Sequence, residues 1–119
     1  MKIQRYFTKE GESPYSKIRF AVRSSEIRNP DGSTVFKLEN INVPESWSQV
    51  AVDILAQKYF RKAGVPIVDD FGKPKLDAEE NPKTGGETDA RQVFHRLAGC
   101  WRHWGEKHNY FDSPADAQA

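Results

Sequence analysis

The chain has 119 residues, of which 37% are hydrophobic and 29% charged, enough for one domain that buries about two-thirds of its unfolded surface. Its 18 basic and 17 acidic residues leave a net charge of +1. It lacks the surplus that phosphate neutralisation needs, so neither nucleic acid nor an anionic membrane is an expected partner. No apolar run could span a bilayer, the start lacks a secretory apolar stretch, and one cysteine suits a reducing cytoplasm.

Residues 1–16 are polar and read as an extended lead-in. In "KIRFAV", Ile18, Phe20 and Val22 alternate with Arg19 and Arg23, the pattern of a half-buried strand. "STVFKLENINV" repeats it, with Phe36 and Leu38 opposite Lys37 and Glu39. Between them, "NPDG" offers a type I turn followed by a glycine with positive φ. The pattern predicts a β-hairpin over about 18–39.

Next, a helix is predicted over about 45–63, with Ser46 as N-cap and Gln49 completing a capping box, or with the turn beginning earlier at Glu45. Trp47, Val50, Ala51, Ile54, Leu55 and Tyr59 form its apolar stripe, with Ser48, Asp53, Gln57, Arg61 and Lys62 mainly opposite. Gly64 and Pro66 end it, and the basic residues at 58, 61 and 62 suit its C-terminal dipole. Residues 65–86, rich in proline, glycine and charge, read as a long loop. A second helix is predicted over about 87–104, with Ala90, Val93, Phe94, Leu97, Ala98 and Trp101 inward and Trp104 just beyond. Arg91, Gln92, His95, Arg96, Arg102 and His103 take the outer face, and Gly105 is the expected stop. Ser113 as N-cap and Pro114 at the first helical position then open a third helix. A helix so well started and so short has the look of a cut end. The expected architecture is α+β and mainly helical, a single segment over 1–119.

Cys100 is the first candidate for chemistry. A reactive thiolate needs a cationic neighbour or a helix N-terminus, and Cys100 stands late in its helix with Arg96 and His103 one turn away. The residue pattern favours a small buried or half-buried cysteine. Cys100 with His103 and His108 offers no second ligand pair for zinc, and His95 and His103 are too far apart to clamp one ion. Phe94, Trp101 and Trp104 suit packing better than base stacking. "KTGGET" lacks the spacing of a phosphate loop. Asp69, Asp70 and "DAEE" read as solvated acids. No residue is assigned a catalytic, cofactor-binding or metal-binding role.

Five stretches carry a resemblance: "FTKEGESPY", "SEIRNPDGSTVF", "SWSQVAVDILAQKYFRKAGVP", "ETDARQVFHRLAGCWRHWG" and "YFDSPADAQA". In that order they resemble the N-terminal end of the long bacterial form of vitamin B12-dependent (class II) ribonucleotide reductase. The resemblance covers essentially all of this chain and a small part of that protein. It implies a larger α/β-barrel enzyme that reduces ribonucleoside diphosphates to deoxyribonucleotides for DNA synthesis, using adenosylcobalamin and a thioredoxin-type reductant. The family's thiyl radical and redox cysteine pairs lie downstream of this region, so Cys100 matches none of them and walls the barrel instead. The 65–86 loop reads as shorter than in many relatives, and "RHWGEKHN" also departs from them. The chain alone is expected to be inactive, to bind no cobalamin tightly, to fall short of full stability, and to need the rest of the reductase chain as its partner. The alternative is a stand-alone protein-interaction module, which a cooperatively melting monomer would favour. Single-stranded nucleic-acid binding is weaker still, and filter binding at two salt concentrations would test it.

Overall fold

The computed structural model describes residues 1–68 and 73–119. Strands β1 (Phe20–Arg28) and β2 (Thr34–Pro44) form the antiparallel hairpin. Its turn is the expected one: the Gly32 N–H donates to the Asn29 carbonyl at 2.9 Å, and Gly32 takes φ 89°. The hairpin runs longer than predicted, to Pro44, because a bulge carries it past Glu39. Arg23 pairs with Ile41 but Ser25 with Leu38, so β2 holds one extra residue there. Asn40, at φ 57°, falls inside this step. The bulge switches the inward parity from Phe36 and Leu38 to Ile41 and Val43, both fully buried.

Helix α1 spans Gln49–Ile54 and continues as a π turn over Leu55–Tyr59, where the Phe60 N–H reaches the Leu55 carbonyl at 3.0 Å. Its N-cap is Ser48, whose Oγ accepts from the Ala51 N–H, and not Ser46. Gln49 closes no capping box. Its amide donates to the Ser24 carbonyl and to Asp53, and its carbonyl oxygen accepts from Arg23. The predicted stripe is also rotated: Val52, Leu55, Ala56 and Phe60 are buried, while Val50, Ile54 and Tyr59 are exposed. Two apolar faces compete on this helix, and contact with β1 selects the one containing Val52. The extra residue of the π turn then brings Phe60 inward in place of Tyr59. Asp53, expected outside, faces β1 and accepts a 2.7 Å bond from buried Ser25.

The stretch read as a loop carries its own ladder. Strands β3 (Val65–Pro66) and β4 (Thr84–Gly85) pair antiparallel, with bridges Val68–Pro74 and Leu76–Pro82 beyond them. Prolines suppress the alternating pattern that would have announced these strands. Asp69, Asp70 and Gly72 lie outside the described residues.

Helix α2 spans Ala90–Lys107. Asp89 is its N-cap, and Gln92 reaches back to the Thr88 and Asp89 N–H groups at 2.9 and 3.0 Å, completing a capping box. Gly105 does not stop it. The residue is buried against Phe111, and a Cβ there would lie 2.3 Å from the ring. Helix α3 (Pro114–Gln118) starts at Ser113 and Pro114 as expected. The N-terminal residues join it: the Met1 ammonium meets Asp112, and the Ile3 N–H donates to Asp116 Oδ1 at 2.8 Å. The core is Ile41, Val43, Val52, Leu55, Ala56, Phe60, Ala90 and Val93, where hairpin, α1 and the start of α2 meet.

Candidate functional site

Helix α2 has 18 residues, a length of about 27 Å, and the core covers only its beginning. Ala90 and Val93 are buried. Leu97, Cys100, Trp101 and Trp104 continue the same side at i+3 and i+4 steps and are exposed. Phe94 is 37% exposed, Leu97 41%, Trp101 66% and Trp104 54%. The periodicity marked this stripe correctly as apolar, but the hairpin and α1 end before it does. Cys100, expected to be buried or half-buried, is therefore exposed.

On the neighbouring flank the N-terminal residues arch over α2 and leave an open groove of about 870 Å³. Ile3, Arg5 and residues 8–15 form one wall, with Phe94, Ala98, Trp101 and Phe111 on the other side. Phe94 also packs edge-on against Trp47, with ring centroids 6.1 Å apart. The groove and the bare stripe thus share Phe94 and Trp101.

Arg96 is not on an outer face. Its guanidinium donates to both Glu87 oxygens and, at 3.0 Å, to the Tyr59 carbonyl. Glu87 is buried and also accepts from the Arg61 N–H at 2.8 Å. Burial works against its charge, but the Arg96 guanidinium and the Arg61 N–H outweigh that and hold its carboxyl below the usual range. This pair ties the end of α1 to α2, and sequence reading missed it. No periodicity marks it, because Glu87 precedes the helix and its partner lies nine residues on. The cation that the sequence offered Cys100 is therefore already committed. Arg91 is likewise engaged, held by Asp89 with its guanidinium carbon 4.1 Å from the Phe20 ring centre.

His95, His103 and His108 are exposed, and the structure does not gather them. Among the described residues, no three of His, Cys, Asp and Glu cluster as metal ligands would. Asp77 of "DAEE" organises its own turn, accepting from the Glu79 and Asn81 N–H groups at 2.9 Å each. Gly85 of "KTGGET" is spent in β4. Among the described residues, no helix is long and apolar enough to cross a membrane.

Residues 21–119 match the model of a family described as class II vitamin B12-dependent ribonucleotide reductase. The chain belongs to that family. It is 50% identical over 135 residues to the vitamin B12-dependent ribonucleotide reductase of Bradyrhizobium diazoefficiens, covering 100% of this chain and 11% of that one. The Agrobacterium fabrum reductase is 49% identical over 137 residues, with the same coverage. That of Streptomyces avermitilis is 34% identical over 119 residues, covering 99% of this chain and 11% of the relative. The chain thus spans about a tenth of the length of these reductases.

The family name implies cobalamin, and the residues present do not suit a corrin. Of the three histidines only His95 borders the groove, and among the described residues no hydrogen bond holds its ring in place. The groove is open, and its one buried acid, Asp116, is already bonded to Ser113 and the Ile3 N–H.

Proposed function

We propose that this chain is the N-terminal segment, over 1–119, of a cytoplasmic cobalamin-dependent ribonucleoside-diphosphate reductase. It supports the barrel and contributes no catalytic, cobalamin-binding or metal-binding residue. Substrate, cofactor and a thioredoxin-type reductant then engage the rest of the reductase. The observation that carries this reading is the coverage. Relatives up to 50% identical match the whole of this chain with about a tenth of their own length.

The test is deoxynucleotide formation from ribonucleoside diphosphates with adenosylcobalamin and a thiol. The 119-residue chain is expected to give none. A chimaera of the Agrobacterium fabrum reductase, with this chain in place of its matched region, is expected to turn over. Turnover by the isolated chain, or none by a folded chimaera, overturns the proposal. The bare stripe on α2 favours a second reading, a stand-alone interaction module. That reading predicts a monomeric chain that melts cooperatively and binds a separate protein.

A further inference from the structure

We infer that the hairpin turn holds a latent isoaspartate site: Asp31 closes on Gly32 as a succinimide when the turn opens, and Ser33 keeps it shut in the folded chain. This holds whatever the rest of the polypeptide does. The bond concerned lies inside "NPDG", whose four residues are all exposed. Closure requires the Gly32 nitrogen to shed its proton and attack Asp31 Cγ. Glycine carries no side chain to shield that nitrogen. As the new N–Cγ bond forms, the carboxyl hydroxyl leaves as water with the nitrogen's proton. Water then adds to one of the two ring carbonyls. Opening at Cγ returns aspartate. Opening at the former main-chain carbonyl leaves the chain running through Cβ and Cγ, which is isoaspartate. Nothing is oxidised or reduced, and water is the one co-reactant.

In the folded turn each requirement is opposed. The Gly32 N–H donates to the Asn29 carbonyl at 2.9 Å, so the nucleophile keeps its proton. Asp31 Oδ1 is held towards Ser33, accepting from its N–H at 2.8 Å and its hydroxyl at 2.6 Å. The Ser33 hydroxyl is fixed in turn by the Asn29 side-chain amide at 3.0 Å. The hydroxyl bond first, and then the N–H, hold the Asp31 carboxyl below the usual carboxylate range. A carboxylate is a poor electrophile, since its oxygen cannot leave as water without a proton. Isomerisation would add one backbone carbon between Asp31 and Gly32. That breaks the 2.7 Å bond from the Asn29 N–H to the Ser33 carbonyl, and with it the start of the ladder at Arg28 and Thr34. The hairpin that begins there delivers Ile41 and Val43 to the core. Isoaspartate at residue 31 therefore marks an opened hairpin and then prevents its closing.

The test ages the chain at neutral pH and counts isoaspartate in the tryptic peptide 29–37 by electron-transfer mass spectrometry. The folded chain is expected to isomerise more slowly than the same chain in urea, by roughly a hundredfold. Ser33→Ala removes the hydroxyl and should raise the folded rate about tenfold, the worth of one bond to a charged group. Ser33→Thr restores the hydroxyl and should stay near the native rate. Equal rates for the native chain with and without urea overturn the inference, as does an unchanged rate in Ser33→Ala. Isomerisation in Ser33→Thr as fast as in Ser33→Ala assigns the effect to something other than the hydroxyl and overturns the role of Ser33. A Ser33→Ala rate equal to that in urea places the guard in the hairpin pairing as a whole, and overturns that role too.

Discussion

The Arg96 guanidinium closes on the Glu87 carboxylate as a fork, with Nη2 3.0 Å from Oε1 and Nε 3.3 Å from Oε2. The same guanidinium holds the Tyr59 carbonyl, so one side chain of α2 fixes both the end of the π turn and the approach to its own helix. Glu87→Gln leaves Arg96 without its counter-ion. The expected cost is about 2–3 kcal/mol, below that of a fully buried pair, since Arg96 keeps 31% exposure. Urea unfolding of the two proteins measures it, and a loss under about 0.5 kcal/mol would remove the pair from the fold's support.

The same pair sets a pH dependence. The folded Glu87 carboxyl titrates below its unfolded value, which is near 4.3. Its contribution is complete above that unfolded value and declines as pH falls through the lower folded one. Stability should therefore drop on acidification below about pH 5, and more steeply in the native chain than in Glu87→Gln. Parallel curves for the two proteins would assign the acid lability to other carboxylates.

At the start of α2, Asp89→Ala removes the cap acceptor for the Arg91 N–H and releases the guanidinium that lies over Phe20. The expected cost is about 1–2 kcal/mol, with lost protection of the first-turn amides in hydrogen exchange. Asp89→Asn should recover most of the cap, because the amide oxygen still accepts. Equal losses in both variants would show that the ion pair with Arg91, and not the cap, carries the effect.

The hairpin turn, both long helices and the start at Ser113 and Pro114 were legible because each rests on neighbours in sequence. Turn chemistry and 3.6-residue spacing need no knowledge of the partner surface. The face of α1 was not legible, since Val50–Ile54 and Val52–Ala56 are both apolar and only the hairpin chooses between them. The π turn has no compositional mark, so Tyr59 and Phe60 exchanged places. The bulge at Asn40 hid the second half of β2 for a similar reason, because the alternation changes parity there. Along α2 the apolar residues were identified correctly, but where cover ends depends on the length of the hairpin, which α2's own pattern does not encode. Glu87 and Arg96 needed the meeting of α1 with α2.

Gly105→Ala sets two terms against each other. Alanine favours the helix by about 1 kcal/mol, but its Cβ would fall 2.3 Å from the Phe111 Cε2 and 2.7 Å from Cζ. The ring must leave, and Phe111 is followed by Asp112, which holds the Met1 ammonium. The expected result is faster hydrogen exchange across residues 109–119 and the first residues together, with a net loss of about 1 kcal/mol. Gly105→Ala with Phe111→Ala should lose the clash and be no worse than Phe111→Ala alone. Unchanged exchange in the single variant would mean that the ring swings aside freely.

Asn40 tests the bulge that redirects β2. Its φ of 57° lies in the left-handed region that asparagine and glycine tolerate and a β-branched residue does not. Asn40→Gly should be within about 0.5 kcal/mol of the native chain. Asn40→Val should cost about 1–2 kcal/mol, although valine is the better strand former elsewhere. The inversion of the usual strand preference is the signature, read from the two denaturation midpoints. If valine proves the more stable, the pairing of Arg23 with Ile41 and Ser25 with Leu38 is not fixed by a left-handed residue at position 40. The inward placement of Ile41 and Val43 would then need another cause.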